Sequence, residues 1–70
     1  MDWNQIEGKW TQLQGDIKKQ WGALTDDDLA KIDGDRDKFV GKLQERYGKA
    51  QADIEDEIRL WMANSRLDEH

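Results

Sequence analysis

The stretches GDIKKQWG (residues 15–22) and GKLQERYG (residues 41–48) decide the fold, because they show one pattern twice. Each begins and ends with glycine, and each has an aliphatic residue at its third position and a large aromatic residue at its seventh. With the same offset of 26 residues, Leu13 aligns with Phe39, and the first three glycines of the chain align with the last three. This approximate repeat predicts that the long helix of each half has the same structural role.

Outward from these stretches, apolar residues recur at spacings of three and four, which indicates the buried faces of α-helices. Four helices are predicted: residues 3–22, 25–33, 36–47 and 51–64. Asp2 and Thr25 are the expected N-caps, since short polar side chains accept hydrogen bonds from free backbone N–H groups. Gly22, Gly34 and Gly48 are the expected stops, because glycine readily adopts the left-handed conformation that ends helices.

The fold class predicted from this pattern is all-α. We expect each half to be a helical hairpin, and the two hairpins to cross around one shared core. Residues 1–64 then form a single helical domain, and residues 65–70 form a frayed C-terminal tail. The predicted core consists of the large apolar residues on the inner faces: Trp3, Ile6, Trp10, Leu13, Ile17, Trp21, Leu24, Leu29, Ile32, Phe39, Val40, Leu43, Tyr47, Ile54, Ile58, Trp61 and Met62.

Gly15 and Gly41 fall inside predicted helices, where each costs roughly 1 kcal/mol relative to alanine. On a helical wheel they lie nearly opposite the apolar stripe. One interpretation is that another backbone approaches closely on this second face. The other is that they are surface glycines tolerated in a protein with little demand for stability, and the pattern slightly favours this second interpretation.

Composition narrows the functional classes. The chain has 70 residues and a net charge of −5, which argues against attraction of its whole surface to nucleic acid or anionic lipid. It has no cysteine, which fits a reducing cytoplasm and excludes disulfides and thiolate metal sites. Neither a signal peptide nor an apolar run long enough for a membrane span is visible. We therefore expect a cytoplasmic protein.

The sequence contains no recognisable catalytic constellation. The single histidine is His70 and the single serine is Ser65, both in the predicted tail. A nucleophile, a base and an orienting group cannot be assembled from these residues. We expect a protein that is not an enzyme, has no small-molecule substrate and needs no cofactor.

The segment DGDRDKFVGKLQ (residues 33–44) partly matches a calcium-binding loop. Asp33, Asp35 and Asp37 occupy the first three ligand positions of that motif. However, Lys38 stands where the loop needs glycine, and Gln44 stands where it needs a bidentate glutamate. Two defining positions fail, so no metal site is expected.

A basic strip, formed by Lys38, Lys42 and Arg46 at steps of four, lies on the third predicted helix. Such a strip is a weak candidate for an interaction surface, because its cations are able to contact phosphates. It has no interleaved aromatic residues, and neighbouring carboxylates dilute its charge. A solvated face with salt bridges is therefore the favoured interpretation, with nucleic-acid binding as a weaker alternative.

Most of the chain resembles the CsbD-like family of small bacterial stress-response proteins. The most specific strings are IEGKW (residues 6–10), QWGALTDDDL (residues 20–29) and VGKLQERYG (residues 40–48), and the similarity covers about residues 3–61. The resemblance implies a bacterial, cytoplasmic protein produced under general stress or in stationary phase. It also implies two crossed helical hairpins similar to a SAM domain. It implies no enzyme activity, cofactor or site residues.

Two functions follow as hypotheses. The first is a hydrophilin-like protectant without chemistry of its own, since the chain is 39% charged and has a mean hydropathy of −1.10. The second is a small module for protein–protein interaction, since disordered protectants lack a tryptophan-rich core. A monomer is expected in either case, and the sequence identifies neither a client nor a partner.

Overall fold

Five α-helices form the regular structure of residues 2–64, the part of the chain that the computed structural model describes. They are α1 (Trp3–Gly8), α2 (Trp10–Gln20), α3 (Asp26–Ile32), α4 (Arg36–Tyr47) and α5 (Gln51–Asn64). No strand occurs in this range, which confirms the all-α class. The predicted frayed tail, residues 65–70, lies outside the described residues. No helix within residues 2–64 combines the length and the apolar character that crossing a membrane requires.

The prediction of four helices was wrong, because the first predicted helix is divided at Lys9 into α1 and α2. Lys9 has φ −112° and ψ 19°, outside helical values. Its N–H still donates to the Gln5 carbonyl at 3.1 Å, and its own carbonyl accepts from the Leu13 N–H at 3.0 Å. The bend therefore breaks few hydrogen bonds. The preceding Gly8 is a weak helix former, so interrupting the helix beside it costs little free energy.

Two of the predicted helix boundaries follow local chemistry. Thr25 accepts from the Asp28 N–H, and the Asp28 carboxylate accepts from the Thr25 N–H, each at 3.1 Å, which makes a capping box at the start of α3. Gly48 has φ +67° and ends α4 in the left-handed conformation. Both predictions are confirmed.

The predicted stop at Gly22 was wrong. Helix α2 ends at Gln20, and its C-cap is Trp21, with φ −128°. Left-handed glycines within residues 2–64 occur only at Gly34 and Gly48. At this helix end the Trp21 side chain is buried in the core, and the Trp21 backbone carbonyl accepts from the Leu24 N–H at 3.1 Å.

The core is built around Phe39 of α4. Its ring lies 5.6 Å from Trp3, 5.8 Å from Trp10 and 5.3 Å from Trp21, measured between ring centroids. The last two contacts are edge-to-face, the geometry that the charge distribution of aromatic rings favours. Thirteen apolar residues form the buried cluster: Ile6, Trp10, Leu13, Ile17, Trp21, Leu24, Leu29, Ile32, Phe39, Val40, Leu43, Ile54 and Ile58. All thirteen belong to the predicted core.

Four other predicted core residues are less enclosed. Trp3, Trp61 and Met62 are partly buried against the cluster. Tyr47 is 37% exposed, and its hydroxyl accepts from the Ala23 N–H at 3.1 Å. The hydroxyl needs a polar partner, so this ring spans the edge of the core instead of entering it.

Gly15 and Gly41 lie on open surface. A Cβ atom built at either position meets no atom within 4 Å outside the local helix. Nothing in residues 2–64 therefore approaches these glycines closely, and the interpretation as tolerated surface glycines agrees with the structure.

Candidate functional site

The basic strip predicted on the third helix lies on α4, but the structure does not present its three cations together. Arg46 donates twice to Asp28 of α3, from Nε to Oδ2 at 3.1 Å and from Nη2 to Oδ1 at 2.9 Å. Lys42 Nζ lies 3.7 Å from Asp28 Oδ1. Arg46 and Lys42 therefore face a carboxylate of the same protein, and Lys38 and Lys42 both line an adjacent groove between α3 and α4.

Asp28 is the centre of this charge cluster. Its side chain is only 3% exposed, yet it receives the paired hydrogen bonds of Arg46 and the backbone hydrogen bond of Thr25. A buried carboxylate that is satisfied in this way remains ionised without an uncompensated desolvation cost. Asp28 thus joins the start of α3 to the last turn of α4.

The electrostatics agree with this geometry. The hydrogen bonds from Arg46, followed by that from the Thr25 backbone, hold the pKa of Asp28 well below its usual range, against the effect of burial. The same hydrogen bonds from Arg46 to Asp28 raise the pKa of Arg46. The pair is therefore a fixed structural contact, and such a pair is poorly suited to proton transfer near neutral pH.

A second polar cluster lies beside the aromatic core. Glu57 of α5 accepts from the Trp21 indole N–H at 3.2 Å and also pairs with Lys49. The hydrogen bond from Lys49, and then that from Trp21, lowers the pKa of Glu57, and the same ion pair raises the pKa of Lys49. This cluster ties the segment after α4 to α5 and gives the N–H of the buried Trp21 indole a hydrogen-bond acceptor.

In the segment compared with a calcium-binding loop (residues 33–44), two of the aspartates lie at helix ends. Asp33 adopts the left-handed conformation at the end of α3, with φ +47°. Asp35 is the N-cap of α4 and accepts from the Lys38 N–H at 3.1 Å. Within residues 2–64, no three potential ligands among histidine, cysteine, aspartate and glutamate are arranged to hold a metal ion.

Sequence reasoning identified Arg46 and Lys42 but missed their partner. Asp28 is the last of three aspartates at the start of a helix, where the positive helix end favours any carboxylate, so its position alone does not distinguish it from the other two. A signal was present, because its position three residues after Thr25 completes a capping box and holds the carboxylate at a defined place. The pairing across 18 residues of sequence was not visible in any local pattern.

Comparison with known proteins gives a consistent result. The family model described as CsbD-like matches residues 4–56. The chain is 49% identical over 61 residues to a UPF0337 protein of Pectobacterium atrosepticum, which covers 87% of this chain and 88% of that protein. It is 48% identical over 61 residues to the UPF0337 protein YjbJ of Escherichia coli, with the same coverage of both chains.

A UPF0337 protein of Pseudomonas aeruginosa is 57% identical over 54 residues, which is 77% of this chain and 83% of that protein. No solved structure matches the chain. The family model covers more than half of the chain, and these bacterial relatives match it over most of their length. The resemblance seen in the sequence is therefore confirmed, and the chain belongs to the CsbD-like family.

Proposed function

We propose that this protein is a non-enzymatic, cytoplasmic protein of the bacterial stress response, and that it acts in its folded form as a hydrophilin-like protectant. The observation that carries the proposal is the separation of core from surface. Among the large apolar side chains of residues 2–64, only Tyr47 and Leu60 are exposed, and the rest of the surface is dominated by charged and polar groups. Such a surface retains water and resists self-association.

The absence of catalysis is part of the same proposal. The most enclosed carboxylate, Asp28, is fully engaged by Arg46 and Thr25. The Tyr47 hydroxyl is engaged by the Ala23 N–H. These contacts support structural roles for the groups that would otherwise be the first candidates for chemistry. The association with stress comes from the family, whose molecular activity is unknown.

A drying assay tests the protectant proposal. A labile client enzyme is dried and rehydrated with the protein, with albumin at equal mass, or with a Leu43→Asp variant. Leu43 is completely buried, so the aspartate is expected to unfold the domain. We expect the wild type to preserve more client activity than albumin and the variant to lose this advantage. If the client enzyme keeps no more activity with the protein than with albumin, the proposal is contradicted.

A second candidate function is protein–protein interaction through the end of α5. Leu60 is 63% exposed there and is followed by the half-buried Trp61 and Met62. A partner that binds the wild type but neither Leu60→Gln nor Leu60→Glu would support this function. The matched control is Ala63→Gln, an exposed position on the same helix, which should leave binding unchanged.

Nucleic-acid binding remains the weaker alternative. Arg46 and Lys42 of the predicted strip face Asp28, which reduces the charge that they offer to a phosphate backbone. An electrophoretic mobility assay at low salt tests it. Unchanged mobility of both DNA and RNA would remove this alternative.

We further propose that the helices form two crossed hairpins related by the 26-residue repeat, in a monomeric domain that spans residues 1–64. The support is that two aligned pairs, Leu13 with Phe39 and Ile17 with Leu43, are completely buried. The third pair differs, because Trp21 is buried and Tyr47 is partly exposed. Long-range distances from nuclear magnetic resonance test the arrangement, and sedimentation equilibrium tests the oligomeric state.

A further inference from the structure

A groove between α3 and α4, here called the lysine groove, has no role in the function proposed above. It encloses about 300 Å³, a volume at the lower end of the range for small-molecule sites. Its lining comes from the last turn of α3 and from one face of α4: Lys31, Ile32, Lys38, Gly41, Lys42 and Glu45. Three of these six residues are lysines and one is acidic, on a protein whose net charge is −5.

The three cations of the lysine groove differ in how strongly other groups hold them. Lys31 pairs with Asp27 at 3.2 Å, but both side chains are more than half exposed. Lys42 is held more firmly, because its side chain is only 23% exposed and lies 3.6 Å from Glu45 and 3.7 Å from the buried Asp28. Exposed ion pairs contribute little to stability. A multiply charged anion is therefore able to replace Asp27 as the partner of Lys31.

The floor of the lysine groove limits the class of ligand. Ile32 is completely buried beneath it, and Gly41 contributes no side chain, so the surface between the lysines is open. Among residues 2–64, no aromatic ring lines the groove, which leaves no platform there for stacking a nucleobase. Lysine binds phosphate as a point charge with three donors, without the planar recognition that arginine provides.

We propose that the lysine groove binds the phosphate groups of a small polyphosphate-bearing ligand through Lys31 and Lys38, while Lys42 stays held by Asp28 and Glu45 at the edge of the groove. The proposal does not depend on the protectant function. The ligand is recognised by its closely spaced negative charges, and Gly41 gives it room to approach the α4 backbone.

A titration of the full-length, ¹⁵N-labelled protein with sodium tripolyphosphate tests this proposal. We expect saturable shifts of the amide signals of the lining residues, centred on Gly41, at low ionic strength. Binding should weaken as sodium chloride rises toward about 0.15 M, because salt screens these exposed charges. Shifts spread equally over all lysine-bearing segments would overturn the proposal, since they would show unspecific attraction.

Two pairs of variants separate a site from general charge. Lys31→Gln with Lys38→Gln should weaken binding about tenfold, whereas Lys9→Gln with Lys19→Gln, of equal net charge, should change it by less than about twofold. A second pair of variants changes the shape of the groove. Because the surface around Gly41 is open, we expect the Gly41→Leu variant to fold, to fill the groove with its side chain and to lose binding. The same substitution at the equally open Gly15 is the matched control. Equal losses within either pair, or wild-type binding by Gly41→Leu, would refute the site.

The source of the phosphate is distinguished by further ligands in the same titration. ATP should shift the same amides as tripolyphosphate, and adenosine should shift none, because the groove offers no aromatic surface for the base. Shifts with adenosine alone would contradict recognition through phosphate. Stronger binding of a short single-stranded oligonucleotide than of ATP at these amides would also contradict a small ligand and would point to a nucleic-acid backbone.

Discussion

At the scale of single residues, Asp28 combines one local feature with two features that depend on the tertiary structure. It completes the capping box with Thr25, it pairs with Arg46 eighteen residues away, and it is buried. The first feature is local and was within reach of the sequence. The other two depend on how α3 and α4 meet, so the sequence around Asp28 did not indicate them.

Substitution of Asp28 by asparagine is expected to lower the melting temperature by several degrees. Asparagine keeps an acceptor for Thr25, but it removes the charge that holds Arg46 and leaves that guanidinium without its counter-ion. The matched control is Asp27→Asn, since Asp27 is the preceding, largely exposed aspartate. Thermal denaturation followed by circular dichroism measures both variants, and equal melting temperatures would contradict the structural role of Asp28.

The same residue predicts how stability depends on pH. In the unfolded chain Asp28 has an ordinary pKa of about 3.9, whereas Arg46 and Thr25 lower its pKa in the folded state. The unfolded state then binds more protons, so stability rises with pH across this interval. The contribution of Asp28 is complete above the unfolded pKa and is lost as the pH falls toward the folded pKa.

We therefore expect the melting temperature of the wild type to fall steadily from about pH 5 to pH 2, and that of Asp28→Asn to fall less. The variant should retain some slope because the pKa of Glu57 is also lowered, by Lys49 and Trp21. Denaturation curves at a series of pH values test this. Parallel curves for the two proteins would mean that Asp28 contributes nothing to the acid sensitivity.

At the scale of helices, some helix boundaries were predicted from the sequence and others were not. The start of α3 at Thr25 and the end of α4 at Gly48 depend on neighbouring residues, and both predictions were correct. The bend at Lys9 and the end of α2 before Trp21 were not predicted, and residues close to both make contacts with distant parts of the chain. Trp3, beyond the bend, donates from its indole to the Gly34 carbonyl at 2.8 Å, across 31 residues of sequence.

The helix glycines give a prediction at the same scale. Gly15→Ala and Gly41→Ala should each stabilise the protein by about 1 kcal/mol, because alanine is the better helix former and neither Cβ meets another atom. In a domain of this size that corresponds to a rise in melting temperature of about 4–8 °C per substitution. Thermal denaturation of the single and double variants measures it.

Gly48→Ala is the contrasting control, since its φ of +67° is strained for any residue with a Cβ atom. It should lower the melting temperature although space around the position is open. A fall in melting temperature for Gly15→Ala or Gly41→Ala would instead reveal a packing requirement on the outer face of that helix.

At the scale of the whole molecule, one aromatic residue connects the elements. Phe39 of α4 contacts Trp3 of α1, Trp10 of α2 and Trp21 at the end of α2. The periodicity of apolar residues predicted that all four belong to the core. The central place of Phe39 was not predictable, because spacing along a helix identifies the inner face but not the partners that meet there.

Phe39→Ala is expected to destabilise the domain by about 3–5 kcal/mol, the usual cost of removing a buried phenylalanine. Phe39 is completely buried, and a domain of this length has a total stability of only about 4–10 kcal/mol. Circular dichroism measures this effect.

In the wild type, we expect the near-UV and far-UV signals to be lost in one coincident transition, since the tryptophans report on the same packed core as the helices. In Phe39→Ala, the near-UV signal of the tryptophans should largely vanish at room temperature. Phe39→Leu, which fills most of the volume, should retain both signals with a lower melting temperature. A wild-type near-UV signal that disappears well below the far-UV transition would show that the aromatic core and the helices do not form one cooperative unit.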